Sequence, residues 1–302
     1  MATETREARV PKRIHYCWFG RQPLSVDAQA MIATWRRFCP DYEIIEWNES
    51  NFDISGSVYA RDAYAARKWA FVSDYVRLRV LYEYGGIYMD TDVEVVRPFD
   101  DLLKHEAFMC FEGTEVSIGT FGIEPHHPLT QELLKWYDTA RYVPPEQGGQ
   151  VVTNLQIVTR VLHERYGLQL NGRRQVVGHD IVVYPMDYFI AKIYQLGWIC
   201  PTENTYAIHH YAASWVSDSD RLQAQVYREQ LQKAVKDVLP LLMKYAGIRT
   251  AYKQKGLAGA MAKVISSVAR HLCAGGGTSS LTSLLYVGDV DRCSLSIIEV
   301  AA

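Results

Sequence analysis

No run of residues in this 302-residue chain approaches the eighteen or so apolar positions that a bilayer-spanning helix needs, so the sequence excludes a transmembrane span. Met1 through Arg9 is polar and charged and has no apolar stretch of the kind a secretory leader carries. The six cysteines, Cys17, Cys39, Cys110, Cys200, Cys273 and Cys293, are scattered and form no C-x-x-C, which argues against both a zinc ribbon and a disulfide scaffold. They read as reduced thiols, and with no leader they predict a cytosolic protein. Excess charge of one sign is missing too. Lys and Arg number 32 against 34 Asp and Glu, a net charge of −2, so no nucleic-acid partner is expected.

What remains is a chain with 48% hydrophobic and 22% charged residues, enough to bury a sizeable core in one large domain or two small ones. Its first part alternates strand and helix signals: a strand from Ile14 to Phe19, a helix from Ser25 to Phe38 stopped by Pro40, a strand from Tyr42 to Trp47, a helix from Ala66 to Tyr84, and a strand from Gly86 to Val96. This is the pattern of a nucleotide-binding α/β half, placed at residues 10–96. Residues 97–216 mix short β-like runs, such as Ala107 to Phe111 and Ile181 to Tyr184, with helices from Pro128 to Ala140 and Val151 to Tyr166, and form the acceptor-side half. The Pro144 to Gly149 stretch has the breakers of an exposed connector, and a lid beside the site is the alternative.

The most informative stretch is Tyr84-Gly85-Gly86-Ile87-Tyr88-Met89-Asp90-Thr91-Asp92, a helix end, a glycine turn and a strand finishing in two aspartates. Residues i and i+2 of a strand share a face, so Asp90 and Asp92 are expected to project together at the strand's carboxyl end, where open α/β sheets bind ligands. Two carboxylates so placed suit a hard divalent cation, although a bare D-x-D also describes an acidic strand end in water. One turn of helix separates Asp74 from Arg77, which puts them on a common face, where an ordinary i,i+3 ion pair is the plain reading.

Taken together, Ala70, Ser73-Asp74, Arg77, Leu81-Tyr82, Gly85-Gly86-Ile87-Tyr88 and Asp90-Thr91-Asp92 resemble glycosyltransferase family 32, the group with a DXD sugar-binding region that includes capsule-polysaccharide and yeast outer-chain sugar transferases. The match extends to Val10 through Gly20, where Trp18 corresponds to a residue that stacks on the nucleotide base, and to Tyr206 through Trp215, which is similar to the family's closing H-H-x-x-x-S-W element. An indole at a strand tip offers a flat face to a base, and a core Trp under the sheet is the alternative.

The resemblance implies a GT-A-like fold, a Rossmann-like mixed sheet flanked by helices, and a retaining, metal-dependent transfer of a sugar from a nucleotide diphosphate donor, in the first instance a UDP-sugar. The acceptor is a glycan or lipid-linked glycan, as in capsule or surface polysaccharide synthesis. It assigns Asp74 and Arg77 to the donor sugar and diphosphate, Asp92 to direct metal ligation, and Asp90 to the metal through water or to the ribose. Tyr88, Ser214 and Trp215 join Trp18 on the nucleotide side. His209 or His210 completes a Mn²⁺ or Mg²⁺ shell, with Mn²⁺ favoured if an imidazole joins. In extended chain the two histidines face opposite ways, and His209 is preferred only by its place in the motif. Yeast and animal relatives are Golgi proteins with an N-terminal anchor, so its absence points to a bacterial enzyme on the cytosolic face.

Two other classes fit parts of the pattern. A haloacid-dehalogenase-like phosphatase carries D-x-D on its first strand, before a Gly-Thr-type turn, whereas here the motif comes later and leads into Val93-Glu94. A non-catalytic sugar-nucleotide-binding protein would be expected to have lost motif members, and all are present.

Beyond Asp218 the chain reads as helical to Tyr245, within a C-terminal extension at 217–274. No acidic residue lies between Asp237 and Asp289, and Leu257, Met261, Val264, Ile265, Val268 and Leu272 recur at helical spacing among basic residues. Packing on the domain is the plain reading of this 253–272 helix, and peripheral contact with an anionic membrane is the functional one. Residues 275–302 form a tail that begins with a Gly-Ser linker.

Overall fold

The computed structural model describes residues 7–150, 152–212 and 218–242. The expectations for Ser214, Trp215, the 253–272 helix and the 275–302 tail fall outside these residues. Chain contacts separate two compact units, one of residues 1–192 with 201–215, the other of residues 193–200 with the chain from 216.

The first unit opens with β1 (Arg13–Cys17), α1 (Val26–Phe38), β2 (Glu43–Trp47), α2 (Val58–Ala65), α3 (Trp69–Tyr84), β3 (Gly86–Met89) and β4 (Val93–Val95). Then follow β5 (Ala107–Glu112), β6 (Glu115–Ile123), α4 (Pro128–Thr139), α5 (Asn154–Tyr166), β7 (Gln175–Val177) and β8 (Ile181–Tyr184). A short hairpin, β9 (Lys192–Ile193) and β10 (Trp198–Ile199), precedes β11 (Ala207–His209) and α6 (Asp218–Leu242). Seven strands make one sheet in the order β2-β1-β3-β6-β5-β8-β7. β1 is parallel to β2 and β3, β5 is parallel to β8, and the other neighbours are antiparallel, so the expected mixed α/β architecture is present.

Alternation along the strands feeds two cores. Tyr88 on β3 and Ala107, Met109 and Phe111 on β5 pack on one face with residues of α3, α4 and α5. Ile87 and Met89, with Phe108 and Cys110, pack on the other with Ile32 and Trp35 of α1. Cys17, Cys39 and Cys110 are buried free thiols and Cys200 is a free thiol at intermediate depth.

Local signals explain several boundaries. Ser25 caps α1 by accepting from the Ala28 N–H, and Gly85 ends α3 with its N–H donating to the Leu81 carbonyl. The expected helix from Ala66 begins instead at Trp69, because α2 intervenes and Arg67 takes a left-handed turn at φ 56°. Gly86 has φ 106°, and a Cβ there would lie 2.8 Å from the Arg13 carbonyl and 2.9 Å from His15 Nε2.

The largest departure from expectation is at the D-x-D itself. The strand expected over Gly86–Val96 breaks at Met89, where the Asp90 N–H donates to the Gly119 carbonyl at 2.8 Å and the Val93 N–H closes a turn onto the Asp90 carbonyl at 3.1 Å. β4 then leaves the large sheet and pairs antiparallel with β11. It is braced from α1, where Trp35 Nε1–H donates to the Val93 carbonyl at 2.7 Å and the Val95 N–H donates to Thr34 Oγ1 at 2.9 Å. The two carboxylates are thus presented by a turn between two sheets rather than by strand alternation.

His15 lies fully buried in β1. Its Nδ1 accepts from Trp47 Nε1–H at 3.1 Å, which leaves Nε2–H to donate to the Gly85 carbonyl at 2.8 Å. Burial is the main cause that lowers its pKa to about 4, against an ordinary value of 6.5. The unfolded chain therefore binds a proton that the native state refuses between pH 6.5 and 4. The stability that His15 contributes is complete above pH 6.5 and declines as pH falls, by about 3 kcal/mol at full extent. Urea unfolding of wild type and His15→Gln between pH 7 and 4.5 should show a smaller acid loss in the variant. Equal slopes would remove His15 from the acid response.

In the second unit, Arg228 of α6 lies over the Tyr194 ring at 5.7 Å, and Gly197 leaves room for its side chain, since a Cβ there would be 2.9 Å from Arg228 Cδ.

Candidate active site

Helix α3 is buried along most of its length and carries two charged residues into the core. Asp74 is 7% exposed and Arg77 4%. The Arg77 guanidinium holds Asp74 Oδ1 at 3.0 Å and Asp90 Oδ1 at 3.2 Å, both from Nη2. Its Nη1–H donates to the Ile118 carbonyl and its Nε–H to the Ser73 carbonyl, while the Tyr88 ring lies 4.4 Å below. The i,i+3 pair is present, and Arg77 also joins the helix to the first aspartate of the D-x-D.

Asp74 has a further partner that the sequence did not reveal. Asn154, the first residue of α5, donates from Nδ2 to Asp74 Oδ1 at 2.5 Å. Burial and the neighbouring Asp90 raise the Asp74 pKa to about 6, with Arg77 and Asn154 opposing them. Burial likewise raises Asp90 above its ordinary value.

Asp92 is held from the opposite side, by the segment after β11. His209 Nε2 lies 3.2 Å from Asp92 Oδ1, the Ala212 N–H donates to Asp92 Oδ2 at 2.7 Å, and the His210 N–H donates to the Asp92 carbonyl at 2.9 Å. Burial works against the Asp92 carboxylate, but His209 and the Ala212 N–H outweigh it and hold the pKa at about 2. His209 shows the counterpart: burial lowers it, and the carboxylates of Asp92, Asp90 and Glu112 together raise it to about 9.

β11 settles which histidine meets the carboxylates. His209 pairs in register with Val93 and turns toward the D-x-D, whereas His210 Nε2 meets Glu94 Oε2 at 2.8 Å. Ligand atoms of Asp90, Asp92 and His209 all lie within 4.8 Å of one another. Two carboxylates and an imidazole at that spacing fit a divalent cation of the Mn²⁺ or Mg²⁺ class, and such a cation would compete with the His209 proton.

Gly119 of β6 closes one wall of this seat. A Cβ there would lie 2.9 Å from Asp90 Oδ2 and 3.3 Å from His209 Cε1. Asp90 cannot retreat, because Arg77 and the Tyr88 hydroxyl, 3.3 Å from Asp90 Oδ1, already hold it. Gly119→Ala should therefore weaken Mn²⁺ binding by about tenfold or more, read by titration calorimetry, and lower the melting temperature as well, since the crowded carboxylate cannot move aside. Wild-type affinity in that variant would show that the wall yields.

Tyr88, expected on the nucleotide side, is 2% exposed and lies on the inward face of β3, under the Arg77 guanidinium and with its hydroxyl on Asp90. Arg77 is similarly enclosed by Asp74, Asp90 and two carbonyls, which leaves it beneath the carboxylates. Trp18 lies just past β1, part-buried against the α1-side core, with Nε1–H donating to the Gln22 carbonyl at 2.7 Å.

Residues 25–109 match the family described as the glycosyltransferase sugar-binding region containing the DXD motif. The human alpha-1,4-N-acetylglucosaminyltransferase is 28% identical over 197 residues, which cover 59% of this chain and 55% of that protein. The inositol phosphoceramide mannosyltransferase 3 of Schizosaccharomyces pombe is 27% identical over 146 residues, or 43% of this chain and 38% of that protein. The chain thus spans about half the length of the first of these curated relatives and less of the second. Among solved structures, the PaToxG glycosyltransferase aligns over 51% of this chain and 69% of its own, at 19% identity and a TM-score of 0.41.

Proposed function

We propose that this chain, whose residues 25–109 match the glycosyltransferase sugar-binding region containing the DXD motif, transfers a hexose or hexosamine from a nucleotide diphosphate donor to a glycan or lipid-linked glycan acceptor, with retention of anomeric configuration. The observation that carries this reading is the convergence of Asp90, Asp92 and His209 beside the buried Asp74–Arg77 pair. When bound, a divalent cation supplies charge neutralisation for the leaving diphosphate. Asp92 would hold it directly through an ionised carboxylate oriented by the Ala212 N–H, His209 would hold it through a neutral imidazole, and Asp90, set by Arg77, would reach it through water.

Asp74, steadied by Asn154 and Arg77, is the acceptor for donor-sugar hydroxyls at the floor of the site. Trp18 offers its indole to the base. Retention is the outcome the family resemblance implies, and a front-face route is proposed for it because Asp74, Asp90 and Asp92 already serve the metal seat and the Arg77 and Asn154 contacts. The acceptor then attacks on the face that the diphosphate leaves. No described helix is long and apolar enough to cross a membrane, and the peripheral-membrane expectation concerns residues 253–272, outside the described ones.

A panel of nucleotide diphosphate sugars, each with MnCl₂, MgCl₂ or EDTA, tests the proposal by thermal shift and donor hydrolysis. One donor at about 100 times its Kd should stabilise the protein by about 2.7 kcal/mol, and only with the divalent ion. Stabilisation by none of the panel, or release of inorganic phosphate in place of free sugar, would overturn it in favour of another ligand or of a phosphatase.

A further inference from the structure

Tyr211 and Glu112 have no part in the proposed chemistry, yet both reach the residues of the seat. Tyr211 adopts φ 56°, a left-handed conformation that is costly for a bulky side chain and is retained only where its surroundings demand it. The consequence of that turn is specific: it brings the Ala212 N–H back onto Asp92 Oδ2 at 2.7 Å. The ring of the same residue stacks on the His209 imidazole, with centroids 4.4 Å apart and planes 23° from parallel. Its hydroxyl donates to Glu112 Oε1 at 2.9 Å, and Glu112 is the last residue of β5, paired in register with Glu115 at the tip of the β5–β6 hairpin.

Tyr211 therefore touches the second aspartate through its backbone neighbour, the histidine through its ring, and the large sheet through its hydroxyl. We infer that Tyr211, anchored by Glu112, is a positioning residue that holds His209 and Asp92 together in ligand geometry. This inference rests on the metal-site reading. The anchor matters because β11 itself spans three residues, Ala207–His209, and its pairing with β4 ends at His209. Beyond it His210 is held by the Asp92 carbonyl and Glu94, both on the β4 side, and Glu112 adds a hold from a strand in the interior of the seven-stranded sheet.

The test uses Tyr211→Phe, which keeps the ring and removes the hydroxyl, Glu112→Ala, the double variant, and Glu112→Gln, whose amide oxygen still accepts. Mn²⁺ affinity is read by electron paramagnetic resonance, and hydrogen exchange of the Ala212 amide is read by NMR without metal. Tyr211→Phe and Glu112→Ala should each weaken Mn²⁺ binding about tenfold, the double variant should be no worse than either, and Glu112→Gln should recover most of the loss. The Ala212 amide should exchange about tenfold faster in the first three, since its bond to a carboxylate is loosened. Wild-type affinity and exchange in both single variants would overturn the inference. If the wild-type protein itself takes up no Mn²⁺, the metal reading fails, and Ala212 exchange alone decides whether the pair holds His209 and Asp92.

Discussion

Replacing Asp92 by Asn is expected to lower divalent-dependent donor turnover by at least about a hundredfold, given how much charge stabilisation such an ion supplies at a leaving diphosphate. Asp92 is the aspartate whose carboxylate burial fails to neutralise, because His209 and the Ala212 N–H both favour its charged form. Asn preserves the shape and can still accept from Ala212, so the fold should survive while the anionic ligand is lost. Turnover of a responsive donor, titrated with MnCl₂, provides the measurement. Activity within a fewfold of wild type at saturating metal would transfer the ligand role away from Asp92.

The second large effect is on stability. Arg77→Met keeps a long apolar stem but leaves the buried Asp74 and the part-buried Asp90 with no cation between them. Removing one partner of a buried ion pair costs about 3–5 kcal/mol, because the remaining charge is stranded in low dielectric. For a domain of this size that corresponds to a melting temperature lower by about 10 °C. Arg77→Lys should recover only part of the loss, since an ammonium cannot reach two carboxylates and two carbonyls in one planar arrangement. Thermal unfolding without donor or metal separates this from a ligand-contact role: a change below about 1 kcal/mol would mean that Arg77 acts on the substrate and not on the fold.

The parts of this architecture that were legible in the sequence are those whose cause is local. Ser25 before α1, Gly85 after α3 and the apolar run Ile181–Tyr184 each state their structure within a few residues. The Asp74/Arg77 and Asp90/Asp92 spacings are local in the same sense. β6 was not legible, because Gly119 and Gly122 interrupt its strand pattern. They are there for reasons outside the strand: a Cβ at Gly122 would lie 2.1 Å from the Phe108 ring, and one at Gly119 would press on Asp90. The break after Met89 was hidden for the same reason, since it depends on β4 finding β11.

The site divides along that line. Asn154 reaches Asp74 across 80 positions of sequence, and Glu112 reaches Tyr211 across 99, so no window-sized pattern contains either pair. The choice between His209 and His210 likewise waited on the register Val93↔His209. The helix expected from Val151 begins at Asn154, capped by Thr153, and Asn154 is buried where an exposed helix start would be ordinary.

The turn at Asp90–Val93 has a consequence in time as well as in space. Asp90 belongs to the large sheet through Gly119 and Arg77, while Asp92 is completed by a segment 120 residues further along the chain. During synthesis from the N-terminus the two aspartates emerge long before the imidazole that joins them, and loop-closure entropy sets the last contact apart from the local ones. The contacts that close on Asp92 are therefore long-range ones, and a chain ending before β11 would carry every strand of the seven-stranded sheet without the residues that meet this carboxylate.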